Sequence, residues 1–213
     1  MGDDKTGPIA LAAPRAATVR RDTRETHIEL ALALDGSGKV EVDTGLGFFD
    51  HMLTALCFHA RFDVTLRCKG DLEVDDHHTI EDVALALGSA LDQALGSRAD
   101  IARFAHAYAP LDEALARAVI DFSGRPSAHV ALGFQREAIG PVATENLTHF
   151  FRSLATTARM TLHVTMLAGE NDHHRAEAAF KATALALRQA VRLDARRGSE
   201  GGDVPSTKGS LGE

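Results

Sequence analysis

The 213-residue sequence contains no tryptophan, one tyrosine and only two cysteines, Cys57 and Cys68. Two cysteines are too few for the disulfide framework of a small secreted domain, so we expect a reducing, cytoplasmic location. No apolar run reaches the ~18 residues that a membrane span requires. Asp3 and Asp4 stand where a secretory signal would carry basic residues, and we therefore expect no signal peptide.

Positive charge is also scarce, with 23 Lys and Arg against 30 Asp and Glu, a net charge of -7. This balance argues against a chain-wide electrostatic interaction with nucleic acid or with a membrane surface. It leaves room for a local basic pocket. Hydrophobic residues at 45% and charged residues at 25% are typical of a soluble globular chain with one core.

Hydrophobic periodicity predicts alternating strands and helices between two polar ends. Residues 1–16 are predicted to be a disordered arm, and 194–213 a flexible linker followed by a short tail. The predicted strands are Thr26–Leu34, Phe62–Arg67, Leu115–Phe122 and Thr161–Leu167. The predicted helices are Phe48–Phe58, a helix from a cap at Asp75 or Asp76 to Leu95, Glu145–Ala158, and a helix from a cap at Asn171 or Asp172 to Val191.

Histidine, in contrast, is abundant: the chain has 11, and imidazole is the commonest metal ligand in proteins. Four of these histidines occur in one repeated signature at the start of two predicted helices, His77-His78-Thr-Ile-Glu81 and His173-His174-Arg-Ala-Glu177. The lone residues His59, His106, His129 and His163 are better explained as ordinary core or surface histidines. The doubled signature indicates metal binding, and it also indicates that the chain is duplicated.

The spacing of other residues supports an internal repeat. His51 lies 26 positions before His77, and His149 lies 24 positions before His173. A Glu-to-Gly interval of 11 positions also occurs twice, from Glu25 to Gly36 and from Glu113 to Gly124. We therefore expect an internally duplicated α+β fold, with a first half over 17–96 and a second half over 97–193.

Residues i and i+4 share one face of a helix, so His77 and Glu81 can bind one ion, as can His173 and Glu177. His78 and His174 point ~100° away and suit a different ion. A pseudo-twofold axis would then give two symmetric ligand sets. The first would be His51, His77, Glu81 and His174, and the second His149, His173, Glu177 and His78. The second choice keeps the symmetry but exchanges His77 with His78, and His173 with His174, between the two sets.

Three imidazoles and one carboxylate without thiolate suit Mn, Fe, Co or Zn, and ligand type alone does not choose among these metals. An octahedral Mn(II) with four protein ligands would leave two positions for substrate or water. An enzyme with two separate single-metal sites competes with two other classes of protein, a binuclear metallohydrolase and a structural or storage metal protein. A binuclear metallohydrolase would need metals ~3.5–4 Å apart, whereas structural metal sites are closed and usually rich in cysteine.

Four longer motifs show a resemblance to a known family. Thr44–Met52, Asp75–Asp82, Asp121–Pro126 and Asn171–Lys181 are similar to motifs of the imidazoleglycerol-phosphate dehydratases, and the likeness extends from Arg21–Thr26 to Pro205–Gly209. The resemblance implies two similar halves, each with a four-stranded sheet and two helices, as in domain 2 of ribosomal protein S5. It also implies two Mn²⁺ per subunit, and a homo-oligomer of 24 subunits with sites completed at subunit contacts.

The family removes water from imidazoleglycerol phosphate, a small phosphorylated substrate, to give imidazoleacetol phosphate in histidine biosynthesis. The carbon-bound proton of this substrate is not acidic, because no carbonyl lies beside it. A metal on the imidazole favours ring deprotonation, and the deprotonated ring can expel hydroxide and acidify the neighbouring C–H.

The resemblance also implies individual roles. Glu25 would transfer a proton, and Glu81 and Glu177 would be ligands that can also move one. The metal ligands would be His51, His77, His78, Glu81, His149, His173, His174 and Glu177. The substrate would contact Glu25, His51, His77, His78, His173 and His174, and its phosphate would contact Arg103, Arg125, Lys181, Ser206, Thr207 and Lys208. The tail Ser206–Lys208 is predicted to close over the phosphate as a lid.

Overall fold

The computed structural model describes residues 15–194 and 204–211. Most of the predicted N-terminal arm and the predicted linker at 195–203 therefore lie outside the described residues. The first half contains β1 (Ala16–Asp22), β2 (Thr26–Ala33), β3 (Val40–Asp43), α1 (Gly47–Ala60), β4 (Asp63–Gly70) and α2 (His77–Leu95). The second half contains β5 (Phe104–Leu111), β6 (Ala114–Asp121), β7 (Ser127–Ala131), β8 (Ala138–Ile139), β9 (Val142–Ala143), α3 (Thr144–Thr157), β10 (Thr161–Ala168) and α4 (Asp172–Ala190).

Each half forms a four-stranded sheet with the same connectivity. The strand order is β1-β2-β4-β3 in the first sheet and β5-β6-β10-β7 in the second. In each sheet the last pair is parallel and the other pairs are antiparallel. The short β8–β9 hairpin is an addition before α3. The expected α+β fold with two similar halves, each carrying two helices, is confirmed.

The strands that periodicity predicted have one buried and one exposed face. In β2 the residues Ile28, Leu30 and Leu32 are buried, while the residues between them are exposed. This alternation is typical of a sheet that is covered on one side only. Its buried side faces helix α2, which packs against β1 and β2, and α4 packs in the same way against β5 and β6.

Four strands of the two sheets, β1, β3, β5 and β7, were not predicted, because they lack an alternating pattern of large apolar residues. In β5 the pattern is inverted: the small residues Ala107 and Ala109 are buried, whereas Phe104 and Tyr108 are exposed. This edge strand packs against α4, and alanine fills its buried positions. β3 has only four residues, too few for a periodicity signal.

The helices of the two halves pack against one another, α1 against α4 and α2 against α3. Phe49 from α1, Phe150 from α3 and Phe180 from α4 form a common aromatic cluster in this layer. The ring centroids of Phe49 and Phe150 are 5.5 Å apart, and those of Phe150 and Phe180 are 5.1 Å apart. None of the described helices has the length and apolar character of a membrane span. This cross-half packing decides which histidines meet.

Candidate metal centre

His77, Glu81 and His149 come together where α2 packs on α3, and we call them the first metal group. His149 Nε2 lies 3.1 Å from one carboxylate oxygen of Glu81, and His77 Nε2 lies 3.6 Å from the other. One ligand atom from each residue falls within 4.8 Å of the other two. The two imidazole rings stack with centroids 5.0 Å apart. Two nitrogens and a carboxylate oxygen thus point to a common centre.

His51, His173 and Glu177 form an equivalent cluster where α1 packs on α4, and we call them the second metal group. The Oε2 atom of Glu177 lies 3.2 Å from His51 Nε2 and 3.5 Å from His173 Nε2. These ligand atoms also lie within 4.8 Å of one another. The pseudo-twofold relation of the halves therefore extends to the two metal groups.

The expected partition of ligands between the two ions is wrong. The sequence prediction placed His51 with His77 and Glu81, but His51 lies with His173 and Glu177. His149 likewise lies with the α2 residues rather than with those of α4. The alternative pairing joins His51 with His173 and His149 with His77, as observed, but it assigns each pair the carboxylate of the other group. Each short helix packs on the long helix of the other half, so its histidine reaches across the chain's internal boundary.

His78 and His174 belong to neither metal group of their own chain. His78 Nδ1 donates to Asp71 at 3.0 Å, and its Nε2 lies 3.8 Å from Glu25. His174 Nδ1 donates to Glu113 at 2.8 Å. The rings of neighbouring His77 and His78 are nearly perpendicular, with centroids 6.0 Å apart. We call His78 and His174 the outward histidines.

The carboxylates beside the outward histidines change the local proton affinities. The hydrogen bond to Asp71 raises the pKa of His78, and the hydrogen bond to Glu113 raises the pKa of His174. Glu113 also accepts hydrogen bonds from the backbone N–H groups of Asn171 and Glu170. The pKa of Glu113 is lowered to about 2 by hydrogen bonds from the backbone N–H of Asn171, from the His174 side chain and from the backbone N–H of Glu170. A carboxylate therefore fixes the orientation of each outward imidazole.

Charge differs between the two metal groups. Lys181, one turn after Glu177 on α4, donates to Glu177 Oε1 at 2.5 Å. Burial acts to raise the pKa of Glu177, but the hydrogen bonds from Lys181 and His51 outweigh burial and lower that pKa. Leu85 occupies the matching position of α2. The second metal group thus carries an ammonium that the first does not.

A buried polar network supports the first metal group. Asn146 Oδ1 accepts from His77 Nδ1 at 2.9 Å, and Asn146 Nδ2 donates to Asp76 at 2.9 Å. The other Asp76 oxygen accepts from the backbone N–H of Ala143 at 2.8 Å. The sequence marks Asp76 only as a helix cap. No sequence pattern marks Asn146 or Asp71, whereas the repeat marks Glu113 as the counterpart of Glu25.

The predicted phosphate-binding residues do not form one cluster within the described parts of the chain. Arg103 donates to Asp121 at 2.7 Å and to the carbonyl oxygen of buried Pro205 at 2.5 Å, so it joins the C-terminal tail to the second sheet. Thr207 and Lys208 of the tail are exposed. Arg125 is also exposed, whereas Lys181 lies beside the second metal group. Hydrogen bonds among the described residues link neither Arg125 nor Lys181 to the tail.

Glu25 lies immediately before β2, next to the outward histidine His78. Its side chain is half-exposed, and one carboxylate oxygen is 3.8 Å from His78 Nε2. Its backbone N–H donates to Thr23 Oγ1 at 3.1 Å. The carboxylate is therefore beside the imidazole nitrogen that His78 leaves available for a ligand.

The donor sets fit a borderline divalent transition metal. Each metal group offers two imidazole nitrogens and a carboxylate, which suit Mn, Fe, Co or Zn. Thiolate takes no part, and burial raises the pKa of both Cys57 and Cys68 to about 12. Each group offers three candidate ligands from one chain, one fewer than the four of a tetrahedral metal site.

The duplicated fold and the two histidine–carboxylate groups define the class of the chain, an α+β protein with paired candidate transition-metal groups between its halves. Comparisons with known proteins are more specific. The model of the family described as imidazoleglycerol-phosphate dehydratase matches residues 44–187. The imidazoleglycerol-phosphate dehydratase of Salinibacter ruber is 56% identical over 198 residues, covering 93% of this chain and 96% of that protein.

Two solved structures of proteins with that name are also similar. The enzyme from Staphylococcus aureus aligns with a TM-score of 0.76 and 32% identity over 84% of this chain and 99% of its own. The enzyme from Pyrococcus furiosus, solved in complex with (S)-C348, aligns with a TM-score of 0.77 and 37% identity, covering 91% of this chain and 100% of its own. The chain belongs to the imidazoleglycerol-phosphate dehydratase family, the hydro-lyases of histidine biosynthesis.

Proposed function

We propose that this protein converts imidazoleglycerol phosphate to imidazoleacetol phosphate and water, with two Mn²⁺ per subunit. The observation that carries the proposal is the pair of metal groups, each of which directs two imidazole nitrogens and one carboxylate to a common centre. The substrate itself contains an imidazole, which is a suitable additional ligand for such a set. When bound, Mn²⁺ would act as a Lewis acid that favours deprotonation of the substrate ring.

The outward histidines support assembly of several copies. His78 and His174 present Nε2 away from both metal groups of their own chain, because a carboxylate holds Nδ1 of each ring. We propose that each outward histidine supplies the fourth protein ligand to a metal group of another copy. Sites at subunit interfaces in a homo-oligomer of 24 subunits follow from the family resemblance.

Glu25 is proposed to move the proton between the two side-chain carbons of the substrate. Its half-exposed carboxylate lies beside His78 Nε2, and so beside the position of any metal that His78 binds. Glu81 and Glu177 remain candidates for proton transfer, although their carboxylates already face the imidazoles of the metal groups. His51, His77, His78, His173 and His174 would surround the substrate ring.

The phosphate is proposed to bind between Arg103, Arg125, Lys181 and the tail residues Ser206, Thr207 and Lys208. The hydrogen bond from Arg103 to the carbonyl of Pro205 supports a role for the tail, because it brings this motif against the second sheet. Since no hydrogen bond among the described residues joins Lys181 to the tail, we propose that the phosphate pocket combines residues of different copies. We also propose a cytoplasmic location, in keeping with two free cysteines.

The proposed reaction is tested by incubating Mn²⁺-loaded protein with imidazoleglycerol phosphate and measuring both ketone and inorganic phosphate. We expect ketone without phosphate release. Phosphate release without ketone would instead support the metallohydrolase that shares this ligand chemistry. The substitution Glu25→Gln, which keeps the side-chain shape, should abolish ketone formation while metal content is preserved. Glu29→Gln, on the exposed face of β2, is the matched control and should retain activity.

A further inference from the structure

The Asp76–Asn146 network determines which nitrogen of His77 is available for metal. Asp76 and Asn146 are only 7% and 5% exposed, so both must satisfy their hydrogen bonds within the protein. An ionised carboxylate only accepts hydrogen bonds. The nitrogen of the Asn146 amide must therefore face Asp76, which leaves its oxygen facing His77.

The orientation of the amide in turn fixes the tautomer of His77. An amide oxygen only accepts, so His77 Nδ1 must carry the hydrogen of the 2.9 Å contact. The lone pair of neutral His77 is then on Nε2, the atom that faces Glu81. Orientation of this kind fixes the ring and raises the basicity of the ligating nitrogen.

The second metal group lacks this device. Asn146 and Phe48 occupy matching positions, each three residues before the histidine of its short helix. Phe48 contacts the ring of His173 at 5.1 Å between centroids, and a phenyl ring cannot accept the Nδ1 hydrogen as an amide does. Among the described residues no hydrogen bond reaches His173 Nδ1. His77, His78 and His174 all have such a partner.

The second metal group also carries an opposing charge. The Lys181 ammonium donates to Glu177 at 2.5 Å and would compete with a divalent cation for that carboxylate. Leu85, at the equivalent position of α2, places no charge beside Glu81. The outward histidines do not offset this difference, because both are oriented by carboxylates.

We propose that the two metal groups bind metal with different affinities, and that Asn146 is the positioning residue that makes the first group the tighter one. This inference rests on the proposed Mn²⁺ dependence. The first group, His77, Glu81 and His149, fills first, and the second group, His51, His173 and Glu177, fills at higher metal concentration. Loss of an outer hydrogen-bond partner typically lowers metal affinity about 10–100-fold, which sets the expected difference.

The test is an anaerobic titration of metal-stripped, full-length protein with Mn²⁺, in which free ion is measured by its electron paramagnetic resonance signal. The unmodified protein should show two classes of site whose dissociation constants differ about tenfold or more. Asn146→Leu should weaken the tight class about 10–100-fold and leave the other class unchanged. Phe48→Leu is the matched control and should leave the tight class unchanged.

Lys181→Met is a second test of the difference in affinity, and it leaves the buried Asp76–Asn146 network unaltered. Removal of the ammonium should tighten the weaker class and leave the tight class unchanged. A single affinity class in the unmodified protein would overturn the proposal, as would a tight class that survives Asn146→Leu. Because no substrate is present, these outcomes are independent of ketone formation. Failure of the dehydration assay with two intact affinity classes would refute the proposed reaction alone.

Discussion

Gly88→Ala is predicted to destabilise the contact between α2 and α3, which brings the first metal group together. A Cβ at Gly88 would lie 2.6 Å from the carbonyl oxygen of Leu154 and 2.9 Å from the backbone nitrogen of Ala158. Both distances are far below the 3.4 Å at which ordinary contacts begin. Backbone atoms cannot rotate away as a side chain can, so α3 must move outward.

The magnitude follows from two opposing effects. Overpacking a tight core costs about 3 kcal/mol at the upper end of its usual range. Replacement of a helical glycine by alanine returns about 1 kcal/mol through the reduced entropy of the unfolded chain. The net loss is about 2 kcal/mol, or ~4–8 °C in melting temperature for a chain of this size.

The assay is thermal unfolding of metal-stripped protein, followed by circular dichroism. Gly47→Ala is the matched control, because Gly47 also lies in a helix but a Cβ there would have no neighbour within 4 Å. We expect the control to match or slightly exceed the melting temperature of the unmodified protein, because alanine there brings the helix gain without a clash. An unchanged or raised melting temperature for Gly88→Ala would refute the close approach of α2 and α3.

Three further predictions concern the loops and the tail. Backbone N–H groups of Lys39, Ser37 and Gly38 lower the pKa of Asp63, so its stabilising effect is present above pH ~4 and is lost as pH falls through the lowered pKa. The stability difference between unmodified protein and Asp63→Asn should therefore shrink on acidification, and a constant difference would contradict this cause. Arg103→Met removes the donor to the Pro205 carbonyl and should make the tail more sensitive to protease; equal cleavage rates would refute the anchoring role. Truncation after Asp203 should raise KM or abolish activity while assembly by light scattering is retained, and unchanged kinetics would refute the lid.

Much of the fold was predictable because its strongest signals are local. Ile28, Leu30 and Leu32 alternate in the way that a one-sided sheet requires, and the structure places β2 there. The repeated His-His-x-x-Glu signature marked both long helices and the duplication. β5 was not predictable in this way, because its buried residues are alanines and its exposed residues include Phe104 and Tyr108.

The six residues of the two metal groups are all among the ligands that the sequence predicts, but their grouping is not predictable from the sequence. The sequence identifies His51 and His149 as candidates, yet their partners depend on which helices pack together across the two halves. That packing is set by shape, including the absence of a side chain at Gly88, and not by a periodic pattern. Asn146 was missed for a similar reason, since only the buried contact with Asp76 reveals its role.

The central claim is that the two metal groups and the outward histidines form one metal-dependent dehydratase site. The most direct measurement is an anaerobic metal add-back on metal-stripped protein, in which light scattering follows assembly and a ketone assay follows the conversion of imidazoleglycerol phosphate. We expect Mn²⁺ to restore both the large oligomer and ketone formation. Restored assembly without ketone would contradict this expectation, because the metal groups would then be structural or would serve a different substrate.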